Sequence, residues 1–172
     1  MFNSINTAKC ETPMALKQKI NNLDSKTKKL MEKYRNPFLS EFFDSVTSLG
    51  SPPLVILIIG VLWSAGETSV AKPLILGLLI GGIIVRIGKI TTDRTRPENH
   101  IGEFYSQKSF PSGHSTSAFM TATILNHFYN RPAAFFGLAT TVAISRIYLE
   151  DHYLTDIIAG TLIGLTVGLA II

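Results

Sequence analysis

Five runs of apolar residues, separated by short polar stretches, constrain this chain more than anything else in it. Pro73 to Ile87 (PLILGLLIGGIIVRI) carries one charge, Arg86, close to its end, and Ser115 to Phe128, Ala133 to Leu149 and Ile157 to Ile172 are similar. Leu54 to Ala65 is shorter, but extended back through Ser48 it approaches the roughly 17–25 residues that a helix needs to cross a hydrocarbon core. Gly160, Gly164 and Gly168 fall every four residues and form one small face suited to close helix contact in a bilayer. A large soluble core is the alternative, yet five such runs leave little amphipathic surface. With 46% hydrophobic and 16% charged residues, the chain is too apolar for a soluble domain of its length. The expected fold class is therefore an all-α integral membrane protein, with about five transmembrane helices in a bundle over residues 38–172.

Residues 1–37 differ. They hold eight basic and three acidic side chains, while the rest of the chain is near charge balance. Leu16, Ile20, Leu23, Leu30, Met31 and Tyr34 recur mostly at three- and four-residue spacing with lysines between them. Thr12-Pro13 offers an N-cap with proline at the first helical position, and Asn36-Pro37 ends the run. This reads as an amphipathic helix on the membrane surface, drawn to anionic lipid rather than nucleic acid. The alternative is a solvated helix packed on a partner. No apolar segment of the signal-peptide kind follows its lysines. Cys10 is the single cysteine, so no intrachain disulfide forms.

Five crossings would place the termini on opposite sides. The arm then shares a side with the Gly88–Pro111 loop and the Glu150–Tyr153 turn, whereas the other side carries only Glu67, Lys72 and Arg131. The polar residues gather on one face in three elements. The first, GKITTDRTRPENH, brings Lys89, Arg94 and Arg96 close together. Any one of these could simply reach lipid headgroups, but three favour an anion pocket, since arginine suits bidentate phosphate recognition and lysine supplies a compact charge. The second is PSGH. Ser112 can cap the following helix while its hydroxyl or N–H binds an anion, and Gly113 lets a ligand approach helix N-terminal N–H groups. Capping explains Pro111, Ser112 and Gly113; it does not explain His114, which is suited to proton transfer. The third is SRIYLEDHYLTD. Asp156 follows His152 by four residues, so a carboxylate one turn from an imidazole could fix its tautomer and stabilise the imidazolium. An Asp156 N-cap beside a surface histidine is the bland alternative. Charges within a membrane bundle are costly, which marks Arg146 and Asp156 as functional.

Together the three elements resemble the type 2 phosphatidic acid phosphatase superfamily, whose signature is K-x6-R-P, then P-S-G-H, then S-R-x5-H-x3-D. Here these are Lys89 with Arg96-Pro97, Pro111 to His114, and Ser145-Arg146 with His152 and Asp156, in order and without substitution. The resemblance implies that His152 is the nucleophile, giving a phosphohistidine, and that Asp156 orients it. His114 would protonate the leaving oxygen and then activate water. Lys89, Arg96, Arg146, Ser112 and the Gly113 N–H would hold the phosphoryl oxygens. No metal or other cofactor is required, and no metal-ligand spacing stands out. Arg94 and Asp93 lie off the signature's fixed positions and are possible substrate or headgroup contacts.

The resemblance further implies a multi-pass phosphatase of the cell membrane, the bacterial inner membrane for a chain this short. It would remove the terminal phosphate of a lipid phosphate or diphosphate, with lipid A 1-phosphate, phosphatidylglycerophosphate and undecaprenyl diphosphate as substrate candidates. Lipid-to-lipid phosphotransfer is a close variant. A vanadate-binding haloperoxidase and a non-catalytic lipid-binding protein are the other classes; short length and spans argue against the first, and complete motifs against the second. The departure is the missing first span of the usual six, replaced by the arm. Relatives place the site outside the cytoplasm, and that orientation is expected here, although a count of Lys and Arg puts the arm and both loops inside. Oligomeric state is not legible.

Overall fold

The computed structural model describes residues 12–97 and 107–172; Cys10 and the middle of the Gly88–Pro111 loop lie outside them. The described residues form seven α-helices: α1 (Pro13–Lys33), α2 (Pro37–Thr47), α3 (Pro52–Ser64), α4 (Thr68–Thr92), α5 (Gly113–Tyr129), α6 (Pro132–Tyr148) and α7 (Leu154–Ile171). Among the described residues there is no strand, only an isolated antiparallel bridge between Thr95 and Lys108.

The helix starts are written into the chain. Thr12, Asn36 and Ser51 each precede a proline, and each side chain accepts the N–H three residues on: Ala15 at 3.4 Å, Leu39 at 2.9 Å and Leu54 at 3.4 Å. The proline lacks an N–H that would be orphaned at this position anyway. Helices α4 and α5 end where Asp93 and Asn130 adopt left-handed backbone (φ 47° and 48°).

The same signal corrects one expectation. The run from Ser48 to Ala65 is not one straight helix: α2 closes in a 3₁₀ turn over Ser48–Gly50, and α3 restarts at a 55° bend. Pro52 disfavours helical backbone at Ser51 and, with Pro53, removes two donors from a continuing helix. Helices α4 and α7 are long and apolar enough to cross a bilayer, with mean hydropathy 2.0 and 1.9, and the bent α2–α3 pair makes a third if counted as one span. Helices α5 and α6 have 17 residues each.

The bundle is apolar outside and mixed within. Leu57, Val61, Leu79, Ile83, Leu162 and Leu169 stand 59–65% exposed on α3, α4 and α7. Central α5 packs on α4, α6 and α7 and buries Ser115, Thr116, Ser117, Thr121 and Thr123 beside Met120 and Ile124. A helix enclosed by protein need not match lipid, and some of its hydroxyls return to carbonyls four residues back, as Thr116 does to Ser112 (2.9 Å) and Thr123 to Phe119 (2.8 Å). The glycine stripe of α7 packs on this helix. A Cβ at Gly164 would overlap the Thr116 carbonyl, and one at Gly168 would lie 2.7 Å from Thr123 Cβ.

Helix α1 turns only part of its apolar stripe to the body. The face turned toward α6 and α7 carries Ile20, Asp24, Thr27, Lys28 and Met31, and Asp24 is buried, whereas Leu23, Leu30 and Tyr34 remain 44–58% exposed on the adjoining face. This arm packs on its own chain around the buried Asp24.

Candidate active site

Two connections and four helix ends meet at one end of the bundle. Lys89 lies in the last turn of α4, and its Nζ donates to the Lys108 carbonyl at 2.6 Å. That bond ties the two described ends of the long loop, with Ser109 N–H donating to Arg94 O at 2.7 Å and Arg96 N–H to Gln107 O at 3.3 Å. Arg96 is thereby held over the α6–α7 turn, where its guanidinium donates to the Asp151 carbonyl at 3.1 Å. Burial presses its pKa below the ordinary arginine value, while Asp151 and Asp156 oppose that shift. It remains a cation.

The α6–α7 turn is built on one carbonyl. Arg146 O accepts the N–H groups of Asp151 (3.0 Å) and His152 (3.1 Å), so the backbone that carries the guanidinium also fixes the imidazole. The turn passes through Glu150 in left-handed backbone (φ 56°), which a non-glycine residue adopts only when its surroundings fix it. Here the fixing comes from the arm: the buried Glu150 carboxylate meets Arg35 at 2.7 Å and Lys28 at 3.9 Å. Arg146 is itself buried, its two terminal nitrogens donating to Thr47 Oγ1 and Asp151 Oδ2, both at 2.7 Å. Its Nε has no partner among the described residues.

His152 is 3% exposed, which removes the reading of a surface histidine. Nor is its relation to Asp156 that of two residues along one helix. Helix α7 begins at Leu154, after the histidine, and Asp156 folds back so that Oδ2 accepts the Tyr153 N–H at 2.9 Å, the return half of a capping box. That geometry brings Oδ2 to 3.6 Å from His152 Nδ1. The contact is long for a hydrogen bond, and Nδ1 has no other partner among the described residues. Oδ1 of the same carboxylate accepts from Arg94 at 2.7 Å. Burial is the main influence on His152, lowering its pKa to about 4 against the opposing pull of Asp156, with Arg96 and Arg146 reinforcing burial. The imidazole is neutral at ordinary pH.

PSGH closes the site from the other side. Ser112 is fully buried, and its hydroxyl accepts from Ser115 N–H (3.4 Å) and Ser115 Oγ (3.1 Å), capping α5. Its N–H, expected to be free for an anion, instead donates to Asp156 O at 3.1 Å and joins the starts of α5 and α7. Gly113 is not required by packing: a Cβ there would make only ordinary contact with Val85 at 3.6 Å. His114 follows in the first turn, with Arg146, His152, Arg96 and Lys89 all within electrostatic range.

The three motifs thus converge. Arg94 lies apart from the other cations in its engagement: both terminal nitrogens are taken by carboxylates, NH1 by Asp156 and NH2 by Asp24 at 2.5 Å, and its guanidinium stacks 4.1 Å over the Tyr153 ring. Its terminal nitrogens are engaged within the protein. Asp93, the other off-signature residue, points outward to Lys108 at 2.7 Å. Sequence reasoning missed Asp24, Thr47, Asp151 and Thr155. The one clue to Asp24 was an acid at the interior register of a lysine-rich helix.

The chain is similar to known proteins in sequence and in fold. Residues 71–172 match the PAP2 superfamily. Phosphatidylglycerophosphatase B of Bacillus subtilis is 30% identical over 148 residues, 76% of this chain and 72% of that protein. Lipid A 1-phosphatase of Porphyromonas gingivalis is 34% identical over 98 residues, 54% of this chain but 21% of that longer protein. Among solved structures, Aquifex aeolicus LpxE superposes with a TM-score of 0.77 at 28% identity, covering 85% of this chain and 92% of that one. The PAP2-type phosphatidylglycerolphosphate phosphatase of B. subtilis gives 0.76 at 25% identity, covering 89% and 84%.

Proposed function

Since the chain belongs to the PAP2 superfamily, and so to a family of membrane lipid phosphatases, we propose that it removes the terminal phosphate of a lipid phosphate or diphosphate through a phosphohistidine, without a metal. The observation that carries this reading is the convergence of Lys89, Arg96 and Arg146 on two imidazoles at one end of the bundle. Cations so placed hold phosphoryl oxygens as charge shifts between the attacking and leaving atoms. The unpartnered Arg146 Nε and the sterically undemanded Gly113 supply a further donor and an approach to backbone N–H groups.

In the first step His152 Nε2, neutral and remote from Asp156, attacks phosphorus. The P–O bond to the lipid breaks, and His114 gives its proton to the departing oxygen. Asp156 faces the Nδ1–H of the resulting phosphoimidazolium and stabilises its charge. Water then attacks phosphorus, His114 takes its proton, and the N–P bond breaks to release phosphate and neutral His152.

The substrate class follows from position. The site lies at the bundle end that α4, α5, α6 and α7 share, beside outward apolar helices, so a lipid could reach it laterally. We read the bent α2–α3 pair and α4 to α7 as five crossings; α5 and α6, at 1.5 Å per residue, are each about 26 Å long, close to the hydrocarbon thickness. The site then faces out of the cytoplasm, because phosphate binding accounts for its loop cations without the charge rule for loops. Tagging the N-terminus with a reporter active in only one compartment tests this, and a cytoplasmic N-terminus overturns it.

The function itself is tested by presenting purified protein with lipid A 1-phosphate, phosphatidylglycerophosphate, undecaprenyl diphosphate and phosphatidic acid in detergent micelles and measuring phosphate release. Turnover of at least one by wild-type protein, with none by His152→Ala, is expected. Equal release by the two proteins would sink the mechanism.

A further inference from the structure

Asp24 belongs to none of the three motifs and lies before the region that matches the family, yet it is one of the least exposed carboxylates in the molecule, at 4%. Taking a charge out of water is costly unless it is closely paired, and Asp24 has several partners. Oδ1 accepts the Thr155 N–H at 3.1 Å, an otherwise orphaned donor in the first turn of α7, where the helix dipole also favours an anion. Oδ2 accepts from Thr155 Oγ1 at 2.9 Å and from Arg94 NH2 at 2.5 Å. Arg94 NH1 in turn donates at 2.7 Å to Thr155 Oγ1 and to Asp156 Oδ1. A line of paired groups therefore runs from the arm to Asp156, whose Oδ2 lies 3.6 Å from the nucleophile: Asp24, Arg94, Asp156, then His152.

Charge along that line matters. Attack on phosphorus turns His152 into a cation facing Asp156. Were Arg94 paired with Asp156 alone, the two charges would cancel and little would remain to oppose the new one. With Asp24 on the second edge of the guanidinium, two carboxylates share one cation.

We propose that Asp24 is a positioning residue for phosphoryl transfer: by sharing Arg94 with Asp156 it leaves the cluster one net negative charge to set against the cation formed on His152, and so makes the chemistry depend on docking of the arm. This rests on the phosphatase reading given above.

Asp24→Asn is nearly isosteric and still accepts from Thr155, so it tests charge more than shape. With short-chain phosphatidic acid in micelles as the probe, kcat is expected to fall roughly ten- to a hundredfold, the usual consequence of losing a group that orients or tunes a reacting one. KM should change less than about threefold, because the phosphate-holding cations are untouched. The penalty should largely vanish in the Arg94→Gln background, where there is no cation left to share; this second comparison decides the matter even if Asp24→Asn alone folds poorly. A clamp that merely holds the arm would cost the same in both backgrounds, or act through KM or thermal stability, and any of these results overturns the proposal. Inactive wild-type protein would overturn the phosphatase reading itself, whereas active wild type with an unaffected Asp24→Asn overturns this inference alone.

Discussion

The two ends of α7 are held by different physics. From Gly160 onward the helix lies against α5 so closely that backbone meets backbone: Cβ atoms at Gly160 and Gly164 would strike the carbonyls of Ser112 and Thr116. Its first turn, by contrast, is fixed by donors and charges: Thr155 to Asp24, Asp156 to Arg94 and Tyr153. The first kind of contact is set by volume, is indifferent to pH, and suits a medium where small residues let helices approach. The second is directional, and each partner removed leaves another buried and unpaired. Stability and chemistry have been allotted to different turns of one helix, and perturbing each should separate them.

The largest effect is expected at the polar end. His152→Ala and His114→Ala should lower hydrolysis by roughly a thousandfold or more while leaving helical content by circular dichroism unchanged. A variant that also unfolds would erase the separation. At the packed end, Gly164→Val must displace Thr116 O, Met120 N at 3.0 Å and Phe119 Cβ at 3.1 Å. An overpacking cost of about 3 kcal/mol is expected in thermal unfolding in detergent, with activity falling only as the folded fraction does. Acid should act at the polar end alone. The folded-state pKa of His152, near 4, lies below the ordinary 6.5, so its neutral, nucleophilic form persists at pH 6 and is lost only as pH falls through about 4. Nitrogen-15 NMR of the ring, assigned with His152→Gln, checks this; a half-protonated ring at pH 6 would contradict it. The smallest effect belongs to Gly82→Ala on the outer face of α4. Nothing lies within 4 Å of the added Cβ, so stability should change by less than about 1 kcal/mol, toward the helix preference of alanine.

Much of this was legible beforehand, for identifiable reasons. Thr12-Pro13, Asn36-Pro37 and Ser112 announce helix starts because capping is a local event, and the bundle follows from apolar runs too long for anything else. The cations and histidines were legible as a set because their spacing is tied to a shared chemistry. What escaped were pairings whose cause lies far along the chain. Beyond its register with Ile20 and Met31, nothing near Asp24 sets it apart from the solvated charges of a lysine-rich helix; its partners Arg94 and Thr155 are 70 and 131 residues away. The His152–Asp156 approach was anticipated as helical periodicity and arises instead from a capping turn, since spacing alone does not say where a helix begins. Ser112 was read as a donor to substrate, but its N–H is engaged by a carbonyl from another helix, which no local pattern reveals.

The clamp at Glu150 bears on where this molecule may be cut. The match to the family model begins at residue 71, which invites treating everything earlier as a replaceable tether. Yet the groups that neutralise the buried Glu150 carboxylate, Arg35 and Lys28, and the one that shares Arg94, Asp24, all come from the first 35 residues. A graft of the matched segment onto another anchor would strip Arg35 and Lys28 from the buried acid in the turn that aims the nucleophile. The portable unit is larger than the recognisable one, and its border is drawn by charge balance rather than by resemblance.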